Sequence, residues 1–239
     1  MMAWYHRLTW KIPPITCMAD LQQRVDKLGF LPMFRSGIKG YSVYEATPDF
    51  WTDGDDSPWE WKGPIIREGE CAYGKFFRRK ATWISRQWLP HFINYRRTKH
   101  LAPNDDMAAL DDIVLQTIDT EGFLTSKMIA ELLGLSGRKK KRRPDDLVDE
   151  MPVGEKISLD PILARLMMEG RIVISDFVYN IDKRGNRYGW GIAKYSTPEK
   201  LYGHMLPDCT PEDSYAAMFR HMKKSVPVAT ESQIRKLLG

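Results

Sequence analysis

The sequence predicts an α+β fold that is mainly helical and is built around a winged helix-turn-helix module. Three amphipathic helical segments follow one another in the middle of the chain, two strand-like segments come next, and a Gly-Asn pair separates the strands. Three helices followed by a two-stranded hairpin is the element order of winged helix-turn-helix domains. A chain of 239 residues is long enough to hold this module and one or two further units.

The three helices are predicted from apolar spacing and from capping residues. The first covers 107–118, after the capping candidates Asn104 and Asp105, and the second covers 126–133, after Thr125. The third covers 160–169 and opens with an Asp-Pro pair, which suits an N-cap followed by a proline in the first turn. This third helix takes the place of a recognition helix.

The hairpin is predicted from two strand-like segments, 171–179 and 187–196, joined by the turn 180–186. Gly185 supplies the backbone freedom that a tight turn needs. The predicted winged helix-turn-helix therefore spans 103–196 and contains an insert at 138–156 between its second and third helices.

Two further sections flank this unit. Residues 1–102 form a tryptophan-rich N-terminal section with a helix over 18–29, and residues 197–239 form C-terminal helices. The last helix is predicted from a capping box of Thr230 and Gln233.

The positive charge of the chain is concentrated in a few segments. The net charge is +5, and a run of six cations in the insert supplies +6 of it. This run is a candidate DNA-binding arm, and the alternative is a solvated loop whose charge the following acidic residues offset. Its members are Arg138, Lys139, Lys140, Lys141, Arg142 and Arg143.

The predicted wing and the stretch 75–97 supply two more sets of candidate DNA-binding residues. Lys183, Arg184 and Arg187 cluster at the tip of the hairpin, where the alternative is a solvated basic turn. Cations interleaved with aromatic residues suit a nucleic-acid groove, and the alternative is a packed helix with a basic outer face. The candidates in 75–97 are Lys75, Arg78, Arg79, Lys80, Arg96 and Arg97.

The third helix offers few groups that could recognise bases. Arg165 is the candidate for a base contact on the face opposite the apolar stripe, while Asp160 and Glu169 on that face would repel phosphates. We therefore expect duplex DNA to be bound through its phosphates and largely without sequence preference.

Tryptophans are dense in the N-terminal section. Such density is typical of core packing, and a base-stacking pocket is the alternative. The residues are Trp51, Trp59, Trp61, Trp83 and Trp88.

Glu60, between two of these tryptophans, is the best candidate for a catalytic carboxylate, since burial beside indoles raises a carboxyl pKa. The alternative is an ion pair with Arg96 or Arg97.

Cofactor, metal and membrane signals are weak in the sequence. Cys17, Cys71 and Cys209 are far apart and predict no disulfide, and His204 with Cys209 is a weak hint of a metal site. We expect no metal, no cofactor and no membrane partner, and we expect a cytoplasmic protein.

Several stretches resemble a bacterial group called AlkZ-related, which is similar to winged-helix DNA glycosylases of the AlkZ type. The matching stretches are GPIIREGECAYGKFFRRKATWISRQWLPHFINYRR, RLMMEGRIVISDF and GNRYGWGIAKYSTPE. The resemblance implies tandem winged helices with a concave basic DNA-facing surface, a degenerate winged-helix unit in the N-terminal section, and a role in DNA repair.

The catalytic motif of the similar glycosylases is missing from this chain. Those enzymes carry Gln-x-Asp or Gln-x-Gln after a Leu-Gly pair, whereas residues 28–34 are Leu-Gly-Phe-Leu-Pro-Met-Phe. Apolar side chains cannot orient the water that attacks the sugar. The expected function is therefore non-enzymatic binding of duplex DNA. The alternatives are a glycosylase that uses Glu60 and a winged-helix scaffold that binds protein.

Overall fold

The structure is a computed structural model that describes residues 11–48, 50–51, 57–69, 71–135 and 158–239. These residues form ten helices and a six-stranded antiparallel sheet. The basic run at 138–143, with the rest of the predicted insert, lies outside the described residues.

Residues 18–85 supply the first three strands of the sheet and the helices that precede them, and we call this part of the chain the first half. The helix α4 (Leu89–Arg96) follows it. The elements of the first half are α1 (Met18–Leu28), β1 (Phe30–Pro32), α2 (Val43–Ala46), α3 (Pro58–Glu68), β2 (Cys71–Phe77) and β3 (Lys80–Ser85).

Residues 105–196 form the second half, and here the predicted helices and hairpin occur in the expected order. Asn104 caps α5 by accepting from the Met107 N–H, and Thr125 caps α6 through the Met128 N–H. The elements are α5 (Asp105–Glu121), β4 (Leu124–Thr125), α6 (Ser126–Leu132), α7 (Leu159–Met168), β5 (Val173–Ile181) and β6 (Arg187–Ser196).

The start of α7 differs from the sequence prediction. Ser158 occupies the N-cap position, so Asp160 lies in the first turn instead of capping the helix. An acidic residue in the first turn is still favourable, because it faces the positive end of the helix dipole.

The C-terminal helices pack on the first half and on α4. They are α8 (Pro198–Tyr202), α9 (Pro211–Ser225) and α10 (Glu231–Leu238), and α9 lies against α4 and α1. The predicted capping box of Thr230 and Gln233 is present in α10. Asn94 of α4 donates to the Ser214 hydroxyl of α9, which fixes these two helices together.

The strand order of the sheet is β1-β3-β2-β5-β6-β4, which is symmetric about its centre. In each half, a helix, a short strand, two helices and a hairpin follow one another, and the short strand pairs with the second strand of the hairpin. The central strands β2 and β5 pair antiparallel, so an approximate two-fold axis relates the halves. The boundary predicted near residue 102 stays a prediction, since one sheet and one core run across it.

Across the third helix and the central strand of each half, equivalent positions are 101 residues apart. Gly69 and Gly170 both end the third helix of their half with a positive φ, of 75° and 69°. Tyr73 and Ile174, which are directly paired at the centre of the sheet, have the same separation. Two residues that are paired at a two-fold axis occupy equivalent positions, so the pairing of Tyr73 with Ile174 supports an offset of 101 residues.

Each third helix packs on the central strand of the other half. Thus α3 lies on β5, and α7 lies on β2. The side chain of Met167 on α7 approaches Gly74, where an added Cβ would lie 3.3 Å from its sulfur. Seven of the ten residues of α7 are buried, since α7 also packs on α5 and α6.

The two hairpin tips lie at opposite ends of the sheet. Strand β2 leads away from the central pair in one direction to its turn at Arg78 and Arg79, and β5 leads in the other direction to the turn after Ile181. Eleven residues of strand separate the tips, or roughly 35 Å at about 3.3 Å per residue. The concave basic surface that the resemblance implied therefore cannot join the two tips on one edge.

Candidate functional site

The candidate site lies where α3 crosses the β5–β6 hairpin, and we call it the hairpin site. It combines aromatic rings, a buried amine, a carboxylate and exposed cations. Its residues are Trp59, Glu60, Lys62, Tyr179, Arg187 and Trp190.

Lys62 is a buried amine held between two rings. Its side chain is 1% exposed, although the helix α3 on which it lies reaches the surface. The Nζ atom is 3.3 Å from the centroid of the Trp59 ring and 4.7 Å from that of Phe177, and it has no hydrogen-bond partner among the described residues. The negative faces of these rings are what stabilises the ammonium here.

Burial lowers the pKa of Lys62 to about 8, and the nearby Glu60 carboxylate opposes that shift. Loss of hydration disfavours the charged form of an amine, so the group releases its proton far more easily than a surface lysine. A lysine that titrates close to neutral pH is a common feature of functional sites and a rare one in ordinary cores.

Glu60 accepts a hydrogen bond from the hydroxyl of Tyr179, with 2.5 Å between the oxygens. Burial and this bond raise the pKa of Tyr179 to about 12, so the hydroxyl stays protonated and donates. The guanidinium of Arg187 lies 5.0 Å above the Tyr179 ring. The expected partners of Glu60, Arg96 and Arg97, are engaged elsewhere, so that ion-pair prediction was wrong.

The turn that carries the cations is ordered by its own acidic residue. Asp182 accepts from the N–H groups of Arg184 and Asn186, and these backbone hydrogen bonds lower its pKa. Gly185 adopts a φ of 86°, as the sequence predicted for this position. The turn therefore presents Lys183 and Arg184 on a fixed backbone, and all residues from 181 to 190 are exposed.

Aromatic rings form a partly open surface beside this turn. Trp190 is 68% exposed and makes an edge contact with Trp59 at 5.4 Å between centroids. Trp51 is 59% exposed and lies 6.1 Å from Trp59. Trp61 and Trp83 are buried instead, so the tryptophans of the N-terminal section divide between the core and the surface.

The stretch 75–97 forms a hairpin and the helix α4, and not one basic helix. Lys75 is the exposed position of β2, and Arg78 and Arg79 make the two-residue turn with φ values of 51° and 60°. Lys80 starts β3 and donates to the Arg35 carbonyl. These cations are exposed, but they lie at the end of the sheet opposite to the hairpin site.

Arg96 and Arg97 hold elements together. Arg96 is 7% exposed, and its guanidinium donates to the carbonyls of Met168 and Leu238. Burial lowers its pKa. Arg97 forms an ion pair of 2.7 Å with Glu199. Neither guanidinium is free to meet a phosphate in this arrangement.

Arg165 is buried as well. Its guanidinium makes two hydrogen bonds to Asp111, of 2.8 and 2.5 Å, and these bonds raise its pKa. Ala164 and Glu169, which the helical pattern placed on the outer face of α7, are 4% and 5% exposed. Asp111 holds the guanidinium of Arg165 against α5, so Arg165 does not reach a base edge.

Two classes of site find no support in the part of the chain that the structure describes. Within it, no group of three or more His, Cys, Asp and Glu residues has the geometry of a metal site. None of the helices among these residues has the length and apolar character needed to cross a membrane.

Lys62 and Trp190 were not identified from the sequence as residues of the hairpin site. Trp190 belongs to a predicted strand with no marked role, and Lys62 is one cation among several near the tryptophans. The signal that could have identified Lys62 is its place on the apolar side of α3, between Trp61 and Ile65. A lysine on the apolar side of a helix either extends its ammonium group to the surface or is buried with a group that stabilises its charge.

Comparison with known proteins gives one family and one distant structural likeness. The solved structure of the DNA glycosylase AlkZ of Streptomyces sahachiroi superposes on this one with a TM-score of 0.49 and a sequence identity of 12%. The match covers 98% of this chain and 62% of the AlkZ chain. The chain thus spans less than two thirds of that protein. No curated protein matches. The family model described as AlkZ related matches residues 15–239, and the chain therefore belongs to the AlkZ-related family.

Proposed function

We propose that this protein binds duplex DNA through the β5–β6 hairpin, largely without sequence preference and without catalysis. The observation that carries the proposal is the exposed turn on which Asp182 fixes Lys183 and Arg184, with Arg187 beside it. Membership of the AlkZ-related family supports a DNA-related function. Cations on a fixed turn lose little entropy when they meet phosphates.

We infer further that each half is a winged helix unit. The second half has the order helix, strand, helix, helix and hairpin, with β4 paired to β6, and its hairpin is the wing. The first half has the same order, with shorter first and second helices and shorter hairpin strands, and forms a degenerate unit.

The burial of α7 determines how such a unit would bind. A winged helix normally inserts its third helix into the major groove, but here β2 covers that helix. The wing is then the part that contacts DNA, and phosphates are its targets. The six cations of the run at 138–143, outside the described residues, stay a predicted addition to this surface.

An electrophoretic shift assay with duplex DNA at several salt concentrations tests the proposal. Changing Lys183, Arg184 and Arg187 to Ala should make the plot of log K against log salt less steep by about 2–3, since each phosphate contact contributes about 0.9. The matched control changes Arg78, Arg79 and Lys80 to Ala, which removes equal charge at the other end of the sheet. Equal losses in both variants, or no binding by the wild type at about 50 mM salt, would overturn the proposal.

A second candidate is base excision with Glu60 as the general base. It is favoured by the short hydrogen bond from Tyr179, which orients the carboxylate next to a buried amine and open indole rings. Incubation with alkylated duplex DNA should then yield abasic product that Glu60→Gln abolishes, while DNA binding is retained. If the wild type gives no product above that of Glu60→Gln, the candidate is excluded.

A further inference from the structure

The internal two-fold symmetry shows that the fold does not require the hairpin site. With the offset of 101, Lys62 corresponds to Leu163, and both are 1% exposed. Trp59 corresponds to Asp160, and the position of Glu60 is a proline in the second half. The same helix-on-strand crossing is thus made once with ordinary residues and once with a lysine, a carboxylate and an indole.

A buried amine without hydrogen bonds costs stability, so its presence needs an explanation other than packing. Lys62 lies on one face of the Trp59 ring, and the edge contact with Trp190 fixes the relation between the two indoles. The contact of the Lys62 amine with the Trp59 ring therefore restricts the orientation of Trp59 beneath the exposed ring of Trp190. A ring that is held in advance binds a flat partner without a further ordering cost.

The exposed area around Trp190 is aromatic and is bordered by positive charge. Tyr188 and Trp190 are 56% and 68% exposed, and Arg187 directly precedes Tyr188 in the sequence. A protein partner would be matched by an apolar patch with a mixed polar rim, whereas this border is a turn with three cations. Rings that stack bases next to cations that bind phosphates are the combination used for unpaired nucleic-acid strands.

We propose that the hairpin site binds an unpaired nucleobase in DNA, stacked on Trp190 and supported from below by Trp59 and Lys62, while Arg184 and Arg187 hold the adjoining phosphates. This inference rests on the proposed DNA binding and adds its substrate class, namely DNA with a locally unpaired base. Normal duplex offers only phosphates to the turn, because its bases are stacked on each other. A bulge, a gap or a single strand also offers a ring face.

The test compares three fluorescently labelled DNAs of one sequence by anisotropy: a full duplex, the same duplex with one bulged nucleotide, and the single strand. The wild type is expected to bind the two DNAs with unpaired bases roughly tenfold or more tightly than the duplex, the range that stacking of one base gives. Trp190→Ala should remove this preference and leave duplex affinity within about twofold of the wild type. Trp190→Phe should keep part of it.

Phe123→Ala is the matched control, because Phe123 is an exposed aromatic residue, 48% accessible, that lies before β4 and away from the hairpin tip. It should bind all three DNAs as the wild type does. Lys62→Leu copies the residue of the second half, so it should fold normally and weaken the preference by loosening Trp59.

The outcomes separate this inference from the proposed function. If the wild type binds no DNA, both fail. If it binds all three DNAs equally and Trp190→Ala changes nothing, the hairpin contacts duplex but the stacking site is wrong. Sedimentation at the same protein concentrations is expected to show no change of mass on Trp190→Ala; a dimer that this substitution dissociates would show that a second copy of the chain occupies the rings instead.

Discussion

The two crossings at the centre of the sheet have the same geometry and different contents. Where α7 lies on β2, the contacts are apolar, and even the Lys75 N–H is directed at the sulfur of Met167 at 3.3 Å. Where α3 lies on β5, an amine, a carboxylate and a phenol occupy the contact. The backbone crossing is therefore shared by the two halves, whereas the ionisable groups lie at the contact of α3 with β5.

The largest expected effect concerns an ion pair that only one half contains. Asp111 binds Arg165, while the position equivalent to Arg165 in the first half is Pro64. Asp111→Ala should lower the free energy of unfolding by about 3–5 kcal/mol, since it leaves a buried guanidinium without its partner. Urea denaturation measures the change. The double variant Asp111→Leu with Arg165→Met should recover most of it, and equal losses in both variants would contradict the explanation.

Substitutions at the equivalent residues Lys62 and Leu163 test whether the two crossings give a buried side chain different surroundings. Leu163→Lys should destabilise the protein by about 3 kcal/mol, because Asp160 takes the place of Trp59 there and supplies no ring face for the amine. Lys62→Leu should be neutral or stabilising, since it removes a buried amine without hydrogen bonds. Thermal or urea unfolding of both variants provides the measurement. Equal changes in the free energy of unfolding for the two variants would show that the surroundings of residues 62 and 163 do not differ in how they tolerate a buried amine.

The stability of the wild type should depend on pH in a window set by Lys62. Between about pH 8 and 10.5 the folded protein has released this proton and the unfolded chain still holds it. The unfolded state then binds more protons, so stability rises with pH across this window, by the order of 2–3 kcal/mol for this group. Urea midpoints measured from pH 7 to 10.5 for the wild type and Lys62→Leu give the difference. An identical pH dependence in both would disprove the assignment.

The smallest expected effect compares the two hairpin tips. Arg78 and Arg79 hold left-handed backbone angles that favour Asn and Gly, so replacing them with Asn-Gly should stabilise the protein by about 1 kcal/mol. In the second tip Gly185 already fills such a position, and Gly185→Ala should cost about 1 kcal/mol. Calorimetric melting of both variants tests this. A loss of stability in the Asn-Gly variant would mean that the arginine side chains make contacts that outweigh the backbone strain.

Local signals in the sequence predicted the second half and the last helix well. The capping residues Asn104 and Thr125, the capping box of α10 and the glycine of the turn at Gly185 all act within a few residues of where they stand. Helix ends and tight turns depend on such local chemistry, and therefore a single sequence reveals them. The family resemblance stated from its motifs was also confirmed.

The parts that the sequence did not reveal depend on distant partners. Arg165 looked exposed because Asp111, the residue that binds its guanidinium, is 54 residues away in the sequence. Glu60 looked free to meet an arginine because Tyr179 is 119 residues away. The internal symmetry was invisible for a related reason: equivalent positions share burial but hardly any identity, as Lys62 and Leu163 illustrate.

The direct pairing of β2 with β5 also has a consequence for any attempt to divide the chain. A cut between α4 and α5 would leave each fragment with an unprotected edge strand and with an apolar strip of its third helix facing water. Free edges of this kind recruit other strands. Because the two-fold axis passes between β2 and β5, the exposed edge strand of a fragment can pair with the same strand of a second copy much as it pairs with the other half of the chain. We therefore expect separated fragments to form homodimers in competition with reassembly of the original protein.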